Sequence, residues 1–272
     1  MSFDKWQASI SLLFKVNTDG KTIMYRNLHQ GPLMVQKPFY PEQACHIYLL
    51  HPPGGIAGCD SLQVSAVAQE DSKVLITTPG ATKFYKTDGS KSSFTQIFEV
   101  EDNASLEFLP AQNIYFKGTH TTVKTIFKLK GNAKFAFRDV SKCGMEDSIN
   151  PFEDSSFFNT ICIEHDGVEK FIEVSSIEGD EDIKAISSNH GHVYIGTYLS
   201  NKVSQSTLEK IRELLTEDTT FKASAGIIDD YLCVRFLSHN NESIEKAIVS
   251  IWILTRHEVI GLLPCVPRIW ST

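Results

Sequence analysis

Short segments in which apolar and polar residues alternate recur through the first 200 of the chain's 272 residues. Alternation with period two is typical of strands, because successive side chains point to opposite faces of a sheet. The candidate strands are residues 62–68, 123–129, 135–137 and 160–163. The turn-forming pairs between candidate strands are Asp19-Gly20, Asp88-Gly89, Gly131-Asn132 and Asp166-Gly167. The pattern predicts a mainly β fold, built as a sandwich, a barrel or a solenoid.

A faint internal repeat favours the solenoid. Residues 70–79 (EDSKVLITTP) align with residues 101–110 (EDNASLEFLP) at an offset of 31, with four identical positions. A third copy at residues 132–137 matches residues 103–108 at an offset of 29. A period near 30 is what stacked β-coils produce. Two unrelated strand-turn segments can share letters in the same way, so the repeat inclines the prediction towards a solenoid-like core without excluding the other β architectures.

Two amphipathic helices are predicted in the C-terminal half. Residues 206–209 (STLE) form a capping box at the start of the first helix, and Leu208, Ile211 and Leu215 lie on one face of it. The second helix begins near Asn240 or Asn241 and ends before Gly261 and Pro264. We expect both helices to cover the β core, and the alternative is an apolar stripe offered to a partner. No low-complexity linker divides the chain, so one domain over residues 1–272 is predicted.

Composition excludes several classes of partner. The net charge is −7 and no Lys/Arg-dense face can be read, which disfavours nucleic acid. No basic-then-apolar export signal is visible, and the longest apolar stretch, residues 247–254, is too short to span a bilayer. The cysteines are scattered without a CxxC pair, which is typical of reduced thiols in a cytosol. We therefore expect a cytoplasmic protein with no membrane partner.

Signatures of catalysis are missing. The sequence has no GxSxG, GxxxxGK[ST], HExxH or GxGxxG motif. His190 and His192 suit a borderline metal ion if they lie on one strand face, although their glycine- and asparagine-containing surroundings favour an ordinary loop. Cys59 is a second weak metal candidate, and a small buried filler is its simpler interpretation. The sequence predicts no enzyme and no permanently bound cofactor.

Three blocks, at residues 49–60, 75–85 and 267–272, are the most specific signal in the sequence. Their motif residues are His51, Pro52, Pro53, Gly54, Gly55 and Gly58, then Thr78, Pro79, Gly80, Lys83 and Tyr85, and finally Pro267, Arg268 and Trp270. In this order and spacing the blocks resemble the urease accessory protein UreD family, also called UreH, over roughly residues 10–272. Cys59 stands where that family usually has glycine, and Ser271 replaces a common alanine. We expect Trp270 to dock on the β core.

The resemblance implies a β-helical fold and a scaffold that helps insert nickel into apo-urease. Proteins of this family bind apo-urease and a helical UreF-like partner, which in turn holds a UreG-like GTPase. The GTPase brings nickel and hydrolyses GTP, which is consistent with the missing phosphate loop in this chain. Nickel would therefore be cargo in transit and not a resident cofactor.

The family is also thought to pass nickel through an internal polar path, which calls for weakly binding oxygen ligands. Our candidates are Asp60, Thr82, Asp139 and Glu173, each beside a strand-like apolar segment. Asp139 and Glu173 can equally be outward strand residues, and Asp60 a turn residue that binds backbone amides.

The competing function is a solenoid-type carbohydrate-active hydrolase. Such an enzyme needs a carboxylate pair in a groove flanked by aromatic residues, and no such cluster can be read from the sequence.

Overall fold

The computed structural model describes residues 6–144 and 150–271, and it is mainly β as predicted. The strands are β1 Gln7–Val16, β2 Thr22–Gln30, β3 Met34–Val35, β4 Cys45–Leu50, β5 Ser61–Ala68, β6 Lys73–Thr77, β7 Thr82–Phe84, β8 Ser92–Val100, β9 Ser105–Phe108, β10 Asn113–Tyr115, β11 His120–Leu129, β12 Lys134–Cys143, β13 Ser156–His165, β14 Val168–Glu178, β15 Tyr194–Asn201, β16 Phe221–Ile228 and β17 Tyr231–Ser238. The helices are α1 Gly179–Lys184, α2 Gln205–Glu217 and α3 Asn241–Ile260, and a 3-10 helix spans Arg268–Ser271.

The strands form a seven-stranded and a ten-stranded sheet. In the first, β1, β5, β8, β11 and β13 lie parallel, and in the second, β4, β6, β9 and β12 do. Consecutive strands alternate between the sheets along the chain. Strands β5, β8 and β11 belong to the seven-stranded sheet, and each is followed in sequence by a strand of the ten-stranded sheet, β6, β9 and β12 respectively. Successive coils therefore stack on each other, and the predicted solenoid-like core is confirmed.

The stacking register explains the repeat and corrects it by one residue. Lys134 pairs with Ser105, which is the predicted offset of 29. Lys73 pairs with Ser105 as well, an offset of 32 where the sequence alignment gave 31. The shared Glu-Asp pairs lie in the turns before these strands, where Asp71 and Asn103 both adopt left-handed backbone angles. Because Asp71 and Asn103 are 32 positions apart, the turns keep the register of the strands, and only the shared Glu-Asp pairs are one residue out of step.

Aromatic side chains fill the space between the two sheets. Phe98 lies 4.5 Å from Phe108 and 5.0 Å from Phe127, measured between ring centroids. Phe127 continues the stack to Phe135 at 4.9 Å. Because these rings come from strands of both sheets, their burial holds the two sheets face to face.

A second core lies between the ten-stranded sheet and the helices. As predicted, α2 buries Leu208, Ile211 and Leu215, and α3 buries a stripe that includes Ile248 and Ile251. The remaining predicted α3 positions, Ile244, Ala247 and Thr255, are buried as well. The two amphipathic helices therefore cover the β core.

The start of α2 differs from the predicted capping box. Ser204, not Ser206, is the N-cap, and its hydroxyl accepts from the Thr207 amide at 3.3 Å. Glu258 of α3 accepts from the Thr207 hydroxyl at 2.7 Å and from the Ser204 amide, so a tertiary contact fixes the first turn two residues earlier. The second helix begins as predicted, with Asn240 as its N-cap and Gly261 as its left-handed C-cap. The sequence analysis did not predict α1 or the hairpin β16–β17 between α2 and α3.

Candidate functional site

The first two motif blocks meet at one end of the solenoid. Ile56 forms an isolated bridge with Phe84, and its amide donates to the Lys83 carbonyl at 2.7 Å. A side chain on Gly55 would place its Cβ 2.2 Å from the Tyr85 ring, so only glycine allows this approach. The pairing brings the loop of residues 51–58 against the loop of residues 78–85.

These loops border a cavity of about 380 Å³ between the two sheets, the large cavity. Its walls are mostly apolar. Its polar lining groups are His51, Thr78, Thr82, Lys83, Gln96, Asn113, Thr125 and Asp139. The Nε2 atom of His51 is buried without a hydrogen-bond partner, and burial lowers the pKa of this imidazole, although nearby Asp60 opposes the shift. The large cavity thus joins the motif loops to a few polar groups deep between the sheets.

Asp139 on β12 lies at the inner end of the large cavity. Its carboxylate accepts from Asn113 Nδ2 at 2.9 Å and from Asn159 Nδ2 at 2.7 Å. Burial raises the pKa of Asp139 to about 6; the bond from Asn159 opposes the shift, the charge of Glu173 adds to it, and the bond from Asn113 opposes it. The side chain keeps a partial exposure because it borders the cavity. Two neutral amides therefore hold a carboxylate that no described cation neutralises directly.

A much smaller cavity of about 10 Å³ continues from Asp139, and it has room for about one water molecule. Its polar lining comprises Asp139, Ser141, Asn159, Glu173, Ser175 and Thr197. The Ser141 hydroxyl and the Asn159 carbonyl oxygen are buried without partners. Unpaired buried oxygens are costly unless water or an ion meets them. The small cavity is therefore suited to a hydrated or partly hydrated guest.

Glu173 on β14 separates the small cavity from an open groove of about 750 Å³. Its carboxylate accepts from the Thr197 hydroxyl at 3.0 Å and from Arg235 Nε at 2.6 Å. Asp139 is shared by the large and small cavities, and Glu173 by the small cavity and the groove. We call the line from Thr82 through Asp139 to Glu173 the polar track.

Three of the four predicted path residues lie on the polar track, and Asp60 does not. Thr82 lines the large cavity, whereas Asp60 is absent from the lining of all three spaces. The Asp60 carboxylate accepts from the Ala57 amide at 2.9 Å, and the Asp60 amide donates to the Ala57 carbonyl at 3.1 Å. This geometry is that of the alternative interpretation, a turn residue. A transit role for Asp60 stays a prediction.

The weak metal candidates lie apart from the polar track. His190 and His192 occupy a loop before β15, with ring centroids 6.1 Å apart. Lys222 Nζ lies 3.2 Å from His190 Nδ1, and His192 Nδ1 lies 2.9 Å from the Asn189 carbonyl oxygen. Each imidazole thus has one nitrogen engaged with the protein. Cys59 is a half-buried free thiol in the first motif loop. A metal role for any of the three stays a prediction.

The third motif block packs beside the second. Trp270 Nε1 donates to the Thr77 hydroxyl at 2.9 Å, and its ring meets Trp252 edge-on at 5.3 Å. The Arg138 guanidinium lies 5.0 Å from the same ring. Trp270 therefore docks on the β core as predicted, although it is half-buried, not fully buried. The first two blocks line the large cavity, and the third contacts the second through Thr77.

Asn113, Asn159 and Arg235 complete the polar track, and sequence reasoning missed them. Asn159 lies in an alternating strand, where an amide looks the same as a surface residue.

No helix within residues 6–144 and 150–271 is long and apolar enough to cross a membrane.

Comparisons with known proteins agree on one family. The family model described as "UreD urease accessory protein" matches residues 7–271. The chain is 38% identical to an Enterobacter sp. (strain 638) urease accessory protein UreD over 98% of this chain and 96% of that protein. It is 33% identical to the protein of the same name from Pseudomonas entomophila over 98% and 95%, and 35% identical to that from Citrobacter koseri over 98% and 92%. All three are named as accessory proteins and not as enzymes.

Proposed function

This chain belongs to the UreD family of urease accessory proteins, and we propose that it is a cytoplasmic scaffold that helps to insert nickel into apo-urease. The polar track is the observation that best supports nickel transit. Its lining offers carboxylates, amides and hydroxyls, which bind a borderline cation more weakly than a thiolate does. An ion in transit must be released as well as bound, so such oxygen donors suit passage better than storage.

The two carboxylates divide the polar track into stages. Asp139 stands between the large and small cavities, and Glu173 stands where the small cavity meets the groove. The free oxygens of Ser141 and Asn159 lie between these carboxylates and can replace part of a hydration shell. Nickel would pass from one carboxylate to the next across a space of about one water molecule.

The partners we propose are apo-urease, a UreF-like protein and, through it, a UreG-like GTPase. The chain exposes large apolar side chains that such partners would cover. Ile172 and Val174 on the outer face of β14 are 54% and 52% exposed, and Leu263 after α3 is 74% exposed. Exposed apolar clusters of this kind are typical of proteins that work within assemblies.

Carboxylate-to-amide variants test the polar track. Asp139→Asn and Glu173→Gln keep size and hydrogen bonding but remove the charge that draws a cation. Co-expressed with apo-urease, the UreF-like protein and the GTPase under limiting nickel, each variant should be recovered in the complex in wild-type amount. Urease from these cells should hold several-fold less nickel and show correspondingly lower activity. Asp154→Asn, on the exposed surface, is the matched control.

Asp60→Asn separates the two interpretations of that residue. An amide oxygen can still accept from the Ala57 amide, so the turn should persist. Lost activation with an intact complex would assign Asp60 to nickel transit, and wild-type activation would leave it as a turn residue. Wild-type nickel content with both Asp139→Asn and Glu173→Gln would refute transit along the polar track.

A further inference from the structure

A second group of ligand-type side chains lies away from the polar track, where the C-terminal segment meets the start of β4. Glu42 precedes β4, His46 lies within it, and Cys265 lies between α3 and the 3-10 helix. One ligand atom from each residue, a carboxylate oxygen, an imidazole nitrogen and the thiol sulfur, lies within 4.8 Å of the other two. His46 is buried, and Glu42 and Cys265 are partly exposed. None of the three lines the large cavity, the small cavity or the groove.

The spacing of these atoms is close to that of a tetrahedral metal site. His46 Nε2 lies 2.8 Å from Glu42 Oε1, a hydrogen bond whose proton occupies the position that a cation would take. Zinc–ligand bond lengths place imidazole nitrogen and carboxylate oxygen about 3.4 Å apart, and nitrogen and sulfur about 3.6 Å apart. The pair must therefore open by about half an ångström. The Cys265 sulfur, on a partly exposed segment, must approach by at most about 1 Å.

Arg256 orients the Glu42 carboxylate, and it has a second carboxylate partner in Glu107. The Nη1 atom of Arg256 donates to Glu42 Oε2 at 3.0 Å and holds the carboxylate with its Oε1 atom towards His46. Arg256 Nη2 also donates to Glu42 Oε1, and the same nitrogen bonds Glu107 Oε1 at 2.8 Å. The guanidinium thus stays paired with Glu107 if Glu42 Oε1 turns to a cation. Such outer contacts orient a metal ligand.

The charges around the cluster favour a divalent cation. Arg256 balances one of the two carboxylates, so Glu42, Glu107, Arg256 and a neutral His46 together carry one negative charge. A divalent cation that displaces the Cys265 thiol proton to solvent brings the whole group to neutrality. Burial disfavours any residual charge, so this is the state that a half-buried site prefers.

We propose that Glu42, His46 and Cys265 form a binding site for a resident divalent cation of the zinc class, separate from the polar track. The mixed sulfur, nitrogen and oxygen donors are those of zinc sites with an open fourth position. A thiolate holds such an ion firmly, so this site retains its cation and does not pass it on. The bound ion links β4 to the C-terminal segment and thereby steadies the docking of Trp270.

Cobalt is the probe, because a thiolate bound to Co²⁺ gives a sulfur-to-cobalt absorption band. The reduced, metal-stripped full-length chain is titrated with Co²⁺ and then with Zn²⁺. We expect one Co²⁺ per chain with the charge-transfer band, and loss of the band when Zn²⁺ is added. Cys265→Ser should abolish the band, and His46→Gln should weaken Co²⁺ binding about tenfold or more. Cys59→Ser, which removes another half-buried cysteine, is the control and should keep it.

A measurement on the unmodified chain guards against variants that fail to fold. Zn²⁺ at about 100 times its dissociation constant should raise the thermal midpoint by about 5 °C or more. It should also slow alkylation of Cys265 by iodoacetamide, read by peptide mass spectrometry, and leave alkylation of Cys59 unchanged. A cobalt band that survives in Cys265→Ser, or alkylation of Cys265 that Zn²⁺ does not slow, would refute the site. Neither readout involves nickel or urease, so the result is independent of nickel delivery.

Discussion

Replacing Asp139 by asparagine should stabilise the protein at neutral pH, and the gain should vanish in acid. The native pKa of this carboxyl is about 6, against 3.8 for an unperturbed aspartate. At about 1.4 kcal/mol per pKa unit, the shift corresponds to about 3 kcal/mol. Water in the bordering cavity screens the charge, so we expect a measured gain of about 1–3 kcal/mol.

The sign follows from proton binding. The folded state holds the Asp139 proton up to about pH 6, whereas the unfolded chain releases it near pH 4. The contribution of Asp139 to stability is therefore most favourable below pH 4 and is lost as pH rises through this window. Asp139→Asn removes the titration and keeps an acceptor for Asn113 or Asn159. The carbonyl oxygen of Asn159 has no partner, so a flip of that amide can receive the new side-chain NH₂.

Urea denaturation of wild type and Asp139→Asn at pH 4, 5, 6 and 7.5 gives the difference in unfolding free energy directly. Subtracting the two curves cancels the titrating groups that do not interact with Asp139, so the remaining slope reports Asp139 and its coupling to Glu173. Asp154→Asn, on the exposed surface, should show no such slope. A flat difference across this range would show that Asp139 is not held as a destabilised carboxylate. The account of the polar track's inner end would then be wrong.

Two further stability predictions concern the helix side. Trp270→Ala should lower the free energy of unfolding by about 2–3 kcal/mol, less than the 3–5 kcal/mol typical of a fully buried aromatic, because the ring is half-buried; an unchanged thermal midpoint with lost urease binding would make this block a partner-binding tail instead. Glu107→Gln should cost about 3–5 kcal/mol in urea denaturation, because Glu107 accepts from Trp252 Nε1 at 2.6 Å and pairs with buried Arg256. A loss below about 1 kcal/mol would show that Glu42 alone suffices for Arg256.

The solenoid was predictable because its coils repeat both turn and strand chemistry. The left-handed positions at Asp71 and Asn103 are occupied by residue types that tolerate such angles, and each precedes a strand of the ten-stranded sheet. The one-residue error in register was not avoidable from the letters. Identical Glu-Asp pairs align the sequence at an offset of 31, but the left-handed turn residues and the paired strand residues are both 32 apart, because backbone geometry and side-chain packing decide the register.

Helix boundaries show the limit of local signals. Asn240 and Gly261 end α3 by their own chemistry, so the sequence was sufficient there. At α2 both Ser204 and Ser206 are possible N-cap residues. Ser204 is the one used, because Glu258 from α3 accepts from the Ser204 amide and the Thr207 hydroxyl. A residue 54 positions away along the chain cannot be found by reading one helix.

The polar track could be predicted only in part, because the sequences of β12 and β14 do not show which face of the sheet their carboxylates lie on. On β12, Phe135, Phe137 and Asp139 share one face by alternation, which points Asp139 between the sheets. Both faces of β12 are covered, however, one by the opposite sheet and one by the helices. Its sequence therefore has no solvent-exposed polar face from which the direction of Asp139 could be inferred. On β14 the pattern is reversed. Glu173 turns towards the small cavity while its neighbours Ile172 and Val174 face outwards. Hydrophobicity alone would place Glu173 on the surface and its apolar neighbours inside. The structure has the opposite arrangement, which is expected where a strand lines an internal polar site and also has an apolar outer face.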